Sequence, residues 1–244
     1  MSDKKTREPQ YQSVIQEARD RGLTRLGLMI NDVWVNDPRR AVFVLARYKF
    51  VAKMLSGKAR VLEVGCADAF ASRIVQQEVG RLTAVDFDPV FVEDVRERMD
   101  ARWPLEVHVH DMVAGPFGQR FDAAYCIDVL EHVMPADEDR FLANIIASLE
   151  PNGTLIVGIP SLESQAHASP QSREGHVNCK SGKDFRRFLA GYFDNVFLFS
   201  MNDEVVHTGF TPMAHYLFAI CCNLRPDHTH YELSGEISGH DSVG

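Results

Sequence analysis

Carboxylates and a glycine follow apolar, strand-like segments of this sequence. The first such segment, Arg60–Val64, contains Glu63 and is followed by Gly65. A glycine at this position lets the backbone turn sharply towards a ligand, and the next helix offers unpaired N–H groups. Asp86 ends a second apolar run, where a carboxylate can accept hydrogen bonds from both hydroxyls of a ribose. These residues predict a site for a nucleotide-like ligand.

Two more acidic segments follow the same pattern. Asp111 and Met112 come after the run 105–109, where the carboxylate would reach the exocyclic amine of an adenine and the methionine would pack against its face. Asp128 comes directly after the run 121–127. Open α/β sheets bind ligands at the carboxyl ends of their strands. All these segments are therefore expected at one edge of a sheet.

The elements that must position these residues alternate along the chain. Strands are predicted over 60–64, 82–85, 105–109, 121–127 and 154–159, with helices near 70–79, 89–101 and 137–149. Such alternation specifies an α/β fold with a mostly parallel sheet. Two later apolar runs, 196–200 and 215–222, predict a seven-stranded sheet with an antiparallel last strand. Two helices are expected before the first strand.

The ordered segments resemble the motifs of class I S-adenosylmethionine-dependent methyltransferases, especially the ubiquinone-biosynthesis and natural-product small-molecule group. The family's first motif, [ED]-x-G-x-G-x-G, is matched by Glu63, Gly65, Ala67 and Ala69. Its second-strand acid matches Asp86, its adenine-side acid matches Asp111, and its LEH segment matches residues 130–132. The resemblance covers about residues 44–160. It implies a Rossmann-like fold, S-adenosyl-L-methionine as cofactor and S-adenosyl-L-homocysteine as product.

The first motif departs from the family pattern at Ala67 and Ala69, which replace two glycines. Each added methyl group narrows the pocket that holds the cofactor, so weaker cofactor binding is expected. An RY-x-F run that often contacts the cofactor carboxylate in the family is matched by residues 47–50; the alternative is a surface arginine beside a core aromatic. The resemblance places in the cofactor site Arg47, Tyr48, Glu63, Gly65, Ala67, Asp86, Phe87, Asp111, Met112 and Asp128.

Histidines are the candidate catalytic groups. A hydroxyl acceptor needs a base, and an imidazole with a pKa of about 6.5 suits proton removal near neutrality. His132 is the first candidate and His176 the second, with helix capping or packing as the alternative role for His132; His207 is a third, weaker candidate. No metal site is expected, because the alternating His108 and His110 lack a third ligand at suitable spacing.

The composition is typical of a soluble globular protein, with 244 residues, 45% hydrophobic and 25% charged. The net charge of -8 argues against a nucleic-acid surface. The five cysteines are an odd number without CxxC spacing, so neither disulfides nor zinc are expected. The sequence has no apolar segment of the roughly 18 residues that a membrane span needs. A cytoplasmic protein without a membrane partner is therefore expected.

Domain organisation is predicted from composition. Residues 1–57 are expected to form a tail and helical lid, residues 58–224 the methyltransferase domain with a substrate loop at 161–182, and residues 225–244 a disordered tail. The expected partner is a small molecule, and a homodimer is an open alternative to a monomer. Basic residues near the lid predict an anionic, sugar-linked or nucleotide-linked acceptor: Arg39, Arg40, Arg173, Lys180 and Lys183.

Other functions compete with O-methylation of a small molecule. An NAD-dependent dehydrogenase would retain Asp86, but it would normally carry G-x-G-x-x-G, which is absent after Gly65. N-methylation remains open because a neutral amine already has its lone pair. A catalytically silent S-adenosylmethionine-binding protein is the remaining alternative, because the motif alanines could reflect lost turnover.

Overall fold

An eight-stranded mixed sheet forms the centre of the protein, in a computed structural model that describes residues 5–226. The strands are β1 Arg60–Val64, β2 Arg81–Asp86, β3 Glu106–Val109, β4 Phe121–Ile127, β5 Leu149–Pro160, β6 Phe193–Asn202, β7 Val205–His207 and β8 Tyr216–Leu224. Their order is β3-β2-β1-β4-β5-β8-β6-β7. Strands β1 to β5 are parallel, whereas β8 runs antiparallel to β5 and β6, and β7 runs antiparallel to β6.

Helices cover both faces of this sheet. The α-helices are α1 Gln12–Arg21, α2 Leu28–Asn36, α3 Pro38–Met54, α4 Ser72–Gln76, α5 Pro89–Arg98, α6 Glu138–Ala147, α7 Pro170–Gly175 and α8 Gly182–Leu189. Short 3-10 turns lie at Pro9–Tyr11, Leu130–His132, Glu163–His167 and Thr211–Met213. Within the described residues, no helix combines the length and the apolar character needed to cross a membrane.

The predicted α/β class is confirmed, but the predicted count of seven strands is wrong. The additional strand, β7, pairs only three residues with β6 after a turn at Asp203, which has φ +50°. Three residues are too few to give an alternating pattern in the sequence. Helix α2 was also not predicted, and its N-cap, Gly27, offers no side chain to mark its start.

The core lies on both faces of β4, because successive side chains of a strand point to opposite sides. Ala124 and Cys126 pack with helix α6, whereas Ala123 and Tyr125 belong to the cluster that contains Val51 of α3. Helix α3 is thus part of the packing on the sheet. The disordered tail predicted for 225–244 lies almost wholly outside the described residues, and the domain boundaries stay predictions.

The topology reverses between β1 and β4. The chain proceeds from β1 outward through β2 and β3, and then returns to place β4 on the other side of β1. The loops that follow β1 and β4 consequently leave the sheet side by side. In open α/β sheets this point is where ligands bind.

Candidate active site

The turn after β1 requires glycine at position 65. Gly65 has φ +73°, and a Cβ built there would lie 2.4 Å from Cγ2 of Val129, in the loop after β4. The N–H groups of Gly65 and Cys66 both donate to the carbonyl of Val85, at 2.8 and 3.1 Å. The loop after β1 is therefore held between the ends of β2 and β4, where only a backbone without a side chain fits.

The two motif alanines occupy the left-handed region, with φ +44° at Ala67 and +50° at Ala69. This conformation costs a residue other than glycine roughly 1–2 kcal/mol. The backbone of this loop thus keeps the shape that glycine normally provides, at the cost of strain. Both side chains are partly exposed, so the added methyl groups lie at the surface of the turn.

Replacing Ala67 with glycine is expected to raise the free energy of unfolding by up to about 1 kcal/mol. Relief of left-handed strain, roughly 1–2 kcal/mol, exceeds the entropy that glycine adds to the unfolded chain, about 0.4–1 kcal/mol. Urea unfolding checks this result. Ala71 has φ -77° and is the control, since glycine there should destabilise the protein. Equal effects at both positions would contradict the strain argument.

Asp86 links the first two motif segments. Its Oδ2 accepts a hydrogen bond from the N–H of Ala67 at 2.8 Å, and its Oδ1 accepts one from Asp88 at 2.9 Å. An ionised carboxylate can accept about four hydrogen bonds, so each oxygen keeps capacity for a ligand hydroxyl. Phe87 follows with a side chain that is 73% exposed. Asp88 caps α5, because its carboxylate accepts a hydrogen bond from the N–H of Val90.

Asp68 is a residue of this site that the sequence analysis missed. Its buried carboxylate accepts hydrogen bonds from the N–H of Ile30 at 2.8 Å and from that of Phe70 at 3.1 Å. The guanidinium of Arg98 donates to its backbone carbonyl at 2.6 Å. Asp68 therefore joins the start of α2 to the loop after β1. The contact with Ile30 spans 38 residues, and no local spacing in the sequence indicates it.

Glu63 is buried beneath the same loop. The Tyr48 hydroxyl donates to its Oε1 at 2.9 Å, which brings together two residues predicted for the cofactor site. Burial raises the pKa of Glu63 to about 7, and the neighbouring hydroxyls of Ser72, Tyr48 and Tyr125 act in the opposite direction. The negative charge of Asp86 adds to the rise in pKa. Glu63 therefore changes its protonation state near neutrality.

The Glu63→Gln variant is expected to remove a pH-dependent loss of stability. The pKa of Glu63 is about 7 in the folded protein against 4.5 for the free side chain, so folding favours the protonated form. The stability that Glu63 contributes in its protonated form is complete below pH 4.5 and is lost as the pH rises to about 7. At 1.36 kcal/mol per pKa unit, the loss is about 3 kcal/mol. Urea unfolding of both proteins from pH 5 to 8 measures it. Parallel stability curves would contradict the assignment.

An ion pair spans the loop after β4 and helix α3. Arg47 Nη1 lies 2.6 Å from Asp128 Oδ2, and the guanidinium stacks 3.9 Å from the ring centroid of Tyr216. Asp128 itself has φ +59°, and its backbone N–H donates to the carbonyl of Gly158. The two side chains are only 20% and 35% exposed. Arg47 therefore has a fixed direction, and it is not a freely solvated surface arginine.

Asp111 and Met112 differ in exposure. Asp111 is exposed at the end of β3, and its Oδ1 accepts from the N–H of Val113 at 2.8 Å. Met112 is 3% exposed and packs in the core cluster with Val85 and Leu130. The Asp111 side chain is thus accessible to a ligand, whereas the Met112 side chain is buried in the core.

The candidate catalytic histidines lie together beside the end of β4. The ring centroids of His132 and His176 are 5.2 Å apart at an interplanar angle of 67°. Burial and the nearby His132 lower the pKa of His176. Glu131 is buried next to them, where burial and the charge of Asp128 raise its pKa well above its usual range. Sequence reasoning identified both histidines without predicting this pairing.

His207 does not join this cluster. Its Nδ1 accepts from the N–H of Gly209, and its Nε2 lies 2.9 Å from Asn202 Oδ1. Strand β7, which carries it, is separated from β4 by three strands of the sheet. His207 therefore stabilises its own hairpin, which corrects the weaker expectation that it reaches the pocket.

A family model described as a methyltransferase domain matches residues 61–153. Over these residues the chain is similar to a methyltransferase domain. The match runs from β1 to the start of β5 and includes Asp86, Asp111, Glu131 and His132. Arg47, Tyr48 and His176 lie outside the matched residues.

Curated relatives of the domain include ubiquinone biosynthesis O-methyltransferases. The mitochondrial enzyme of Schizosaccharomyces pombe is 31% identical over 107 residues, which cover 42% of this chain and 38% of that enzyme. The enzyme of Xanthomonas campestris pv. campestris is 28% identical over 157 residues, which cover 61% and 64% of the two chains. The matches therefore span less than two thirds of these relatives.

A solved structure with the same fold is the N-methyltransferase NodS from Bradyrhizobium japonicum, crystallised with S-adenosyl-L-homocysteine. It superposes with a TM-score of 0.55 at 18% identity, over 76% of this chain and 86% of NodS. At this identity the likeness shows the fold of the methyltransferase domain and not its acceptor.

Proposed function

We propose that this protein transfers the methyl group of S-adenosylmethionine to a hydroxyl oxygen of a small molecule. The observation that carries the proposal is the pairing of His132, in the 3-10 turn after β4, with His176. A hydroxyl acceptor needs a proton acceptor near the methyl group, whereas an amine does not. Similarity to O-methyltransferases of ubiquinone biosynthesis supports the same reaction.

The described residues fit the parts of the cofactor. Asp86 keeps hydrogen-bonding capacity for the ribose hydroxyls, and the exposed Phe87 and Asp111 offer a ring and a carboxylate to the adenine. Arg47 and Asp128, which form an ion pair, offer a positive and a negative charge to the zwitterionic amino-acid part of S-adenosylmethionine.

In the proposed reaction His132 accepts the acceptor's proton. Its Nδ1 lies 2.9 Å from the carbonyl of Gly175, so Nδ1 carries the hydrogen and Nε2 keeps its lone pair. S-adenosylmethionine, when bound, supplies an electrophilic methyl group whose bonding electrons remain on sulfur after transfer. The acceptor oxygen forms the new C–O bond, and its proton passes to the imidazole. The lowered pKa of His176 keeps that second ring neutral beside it.

The acceptor is proposed to be an anionic small molecule. Arg40, at the start of α3, is close enough for its charge to lower the pKa of His176. In contrast, Arg39 pairs with Asp37 and Lys180 pairs with Glu138. Residues 161–182 and the N-terminal helices are proposed to form the lid that selects the acceptor, because added segments of this kind carry specificity.

The test is transfer of a radiolabelled methyl group from S-adenosylmethionine to a panel of hydroxy acids, phenols and matched amines. Label in a hydroxylated anion, identified by mass spectrometry as an ether, supports the proposal. The Arg40→Gln variant should raise KM for that anion and leave a neutral analogue unchanged. Label in amines alone would overturn the proposal in favour of N-methylation.

A further inference from the structure

A backbone bridge closes the segment that carries His176. Ser161, directly after β5, forms an isolated parallel bridge with Lys180. The N–H of Leu162 donates to the carbonyl of Lys180 at 3.0 Å. Residues 161–180 thus leave the end of β5 and return to it, so the position of His176 depends on how the returning residues are held.

Three polar side chains form a cluster where this segment returns. Lys180 Nζ lies 2.7 Å from Glu138 Oε2, and the two side chains are only 13% and 17% exposed. Asn178 is buried, and its Nδ2 donates to the same Glu138 oxygen at 2.7 Å. Its Oδ1 accepts from Lys180 Nζ at 3.0 Å. Each side chain of this polar cluster, which consists of Glu138, Asn178 and Lys180, therefore contacts the other two.

The local sequence explains how the polar cluster forms. Glu138 is the first residue of α6, so the helix fixes its backbone. Asn178 and Lys180 are two positions apart beside the β bridge, and alternate side chains of an extended chain point to the same side. A largely buried ion pair is often no more stabilising than well-packed apolar side chains. The polar cluster is therefore better explained by the position that it gives to the chain than by stability.

Backbone contacts connect the polar cluster to the candidate catalytic pair. The N–H of Asn178 donates at 3.0 Å to the carbonyl of Glu131, the residue before His132. The ring of His176, two positions before Asn178, packs edge-on against His132 with the ring centroids 5.2 Å apart. The carbonyl of Gly175 lies 2.9 Å from His132 Nδ1. This stretch of backbone is thus held against the 3-10 turn after β4 at both of its ends.

We propose that Glu138, Asn178 and Lys180 are positioning residues that set the tautomer of His132. The polar cluster fixes the backbone at Asn178, and thereby holds the carbonyl of Gly175 against Nδ1 of His132. A carbonyl only accepts hydrogen bonds, so Nδ1 carries the hydrogen and Nε2 keeps the lone pair that takes the acceptor's proton. This inference rests on the proposed O-methylation only for the use of that lone pair.

The tautomer of His132 is measured from the ¹⁵N chemical shifts of the full chain labelled with ¹⁵N-histidine, and His132→Ala assigns its signals. At a pH where the ring is neutral, the wild type is expected to carry the hydrogen on Nδ1. Lys180→Met and Glu138→Ala are expected to shift His132 towards the Nε2–H form, because the Gly175 carbonyl no longer holds Nδ1–H. Glu138→Gln keeps an acceptor oxygen for Asn178 and should retain the wild-type tautomer.

The kinetics of methyl transfer separate positioning from stability. Since a misplacement of about 1 Å can cost about 10²-fold in rate, Lys180→Met is expected to lower kcat by about 10–100-fold. KM for S-adenosylmethionine should stay within a few-fold of wild type. Arg187→Met is the matched control, because Arg187 pairs with Asp184 at 2.8 Å through side chains that are 75% and 46% exposed. Its kcat and its His132 tautomer should match those of the wild type.

Circular dichroism identifies the folded variants. If Glu138→Ala and Lys180→Met are unfolded, Asn178→Ala, which leaves the ion pair in place, carries the test. The positioning role is overturned if folded variants retain the wild-type tautomer, whatever their kcat; in a chain that methylates a hydroxyl, the proposed function then still stands. A changed tautomer in the variants of a chain that methylates only amines would uphold the positioning role and overturn the proposed function.

Discussion

Gly65→Ala is expected to lower the free energy of unfolding by about 2–4 kcal/mol and to reduce binding of S-adenosyl-L-homocysteine at least tenfold. The new Cβ would lie 2.4 Å from Val129 Cγ2, and overpacking of this kind costs about 1–3 kcal/mol. The positive φ adds roughly 1–2 kcal/mol. Because the loops after β1 and β4 flank the proposed site, any shift that relieves the clash also moves residues that contact the cofactor. Urea unfolding and calorimetric titration measure the two effects.

Gly57 is the matched control for backbone strain. It has φ +82°, but a Cβ there would meet nothing within 4 Å, so Gly57→Ala should cost only the strain energy and should leave product binding unchanged. Adding Val129→Ala to Gly65→Ala should recover part of the lost stability, since it removes the clashing methyl groups. Equal stability losses at Gly57 and Gly65 would refute the steric argument.

His132→Ala is expected to reduce kcat by about 10²–10⁴-fold while the affinity for the methyl donor stays within a few-fold of wild type. The imidazole is absent from the proposed cofactor contacts, so its loss affects the acceptor's proton and not donor binding. Initial rates with a saturating donor, together with calorimetry of the product, distinguish turnover from binding.

His207→Ala serves as the control for removing a histidine, because His207 hydrogen-bonds within its own hairpin. Its kcat should match that of the wild type. A His132→Ala enzyme that turns over within a few-fold of wild type would remove His132 from the mechanism. Restoration of its activity by higher pH would support the base role, because hydroxide can replace a missing base.

The sequence predicted the parts of the fold that depend on local pattern. Strands β1, β2 and β4 are short apolar runs that end in, or are followed directly by, an acidic residue or glycine, and the alternation of strands with helices specifies a parallel sheet. Gly65, Asp86 and Asp128 were thereby placed at one edge of the sheet. Asp88 caps α5 from the position directly before Pro89, a proline in the first turn being typical of a helix start.

Long-range contacts were beyond the reach of sequence patterns. The Asp68 carboxylate accepts a hydrogen bond from the N–H of Ile30, which lies 38 residues away in the sequence. Nothing in either local sequence predicts that contact. The pairing of His132 with His176 arises because Gly175 passes close to the His132 ring, where a Cβ on the glycine would lie 3.3 Å from Nδ1. Tertiary packing therefore produced the histidine pair that carries the proposed function.

Ligand discrimination by thermal shift tests most directly whether this chain is an S-adenosylmethionine-dependent enzyme. A ligand that binds only the folded state at 100 times its Kd stabilises it by about 2.7 kcal/mol, which raises Tm measurably. We expect S-adenosylmethionine and S-adenosyl-L-homocysteine to raise Tm, NAD to leave it unchanged, and Asp86→Ala to lose the response. Stabilisation by NAD alone would contradict the account.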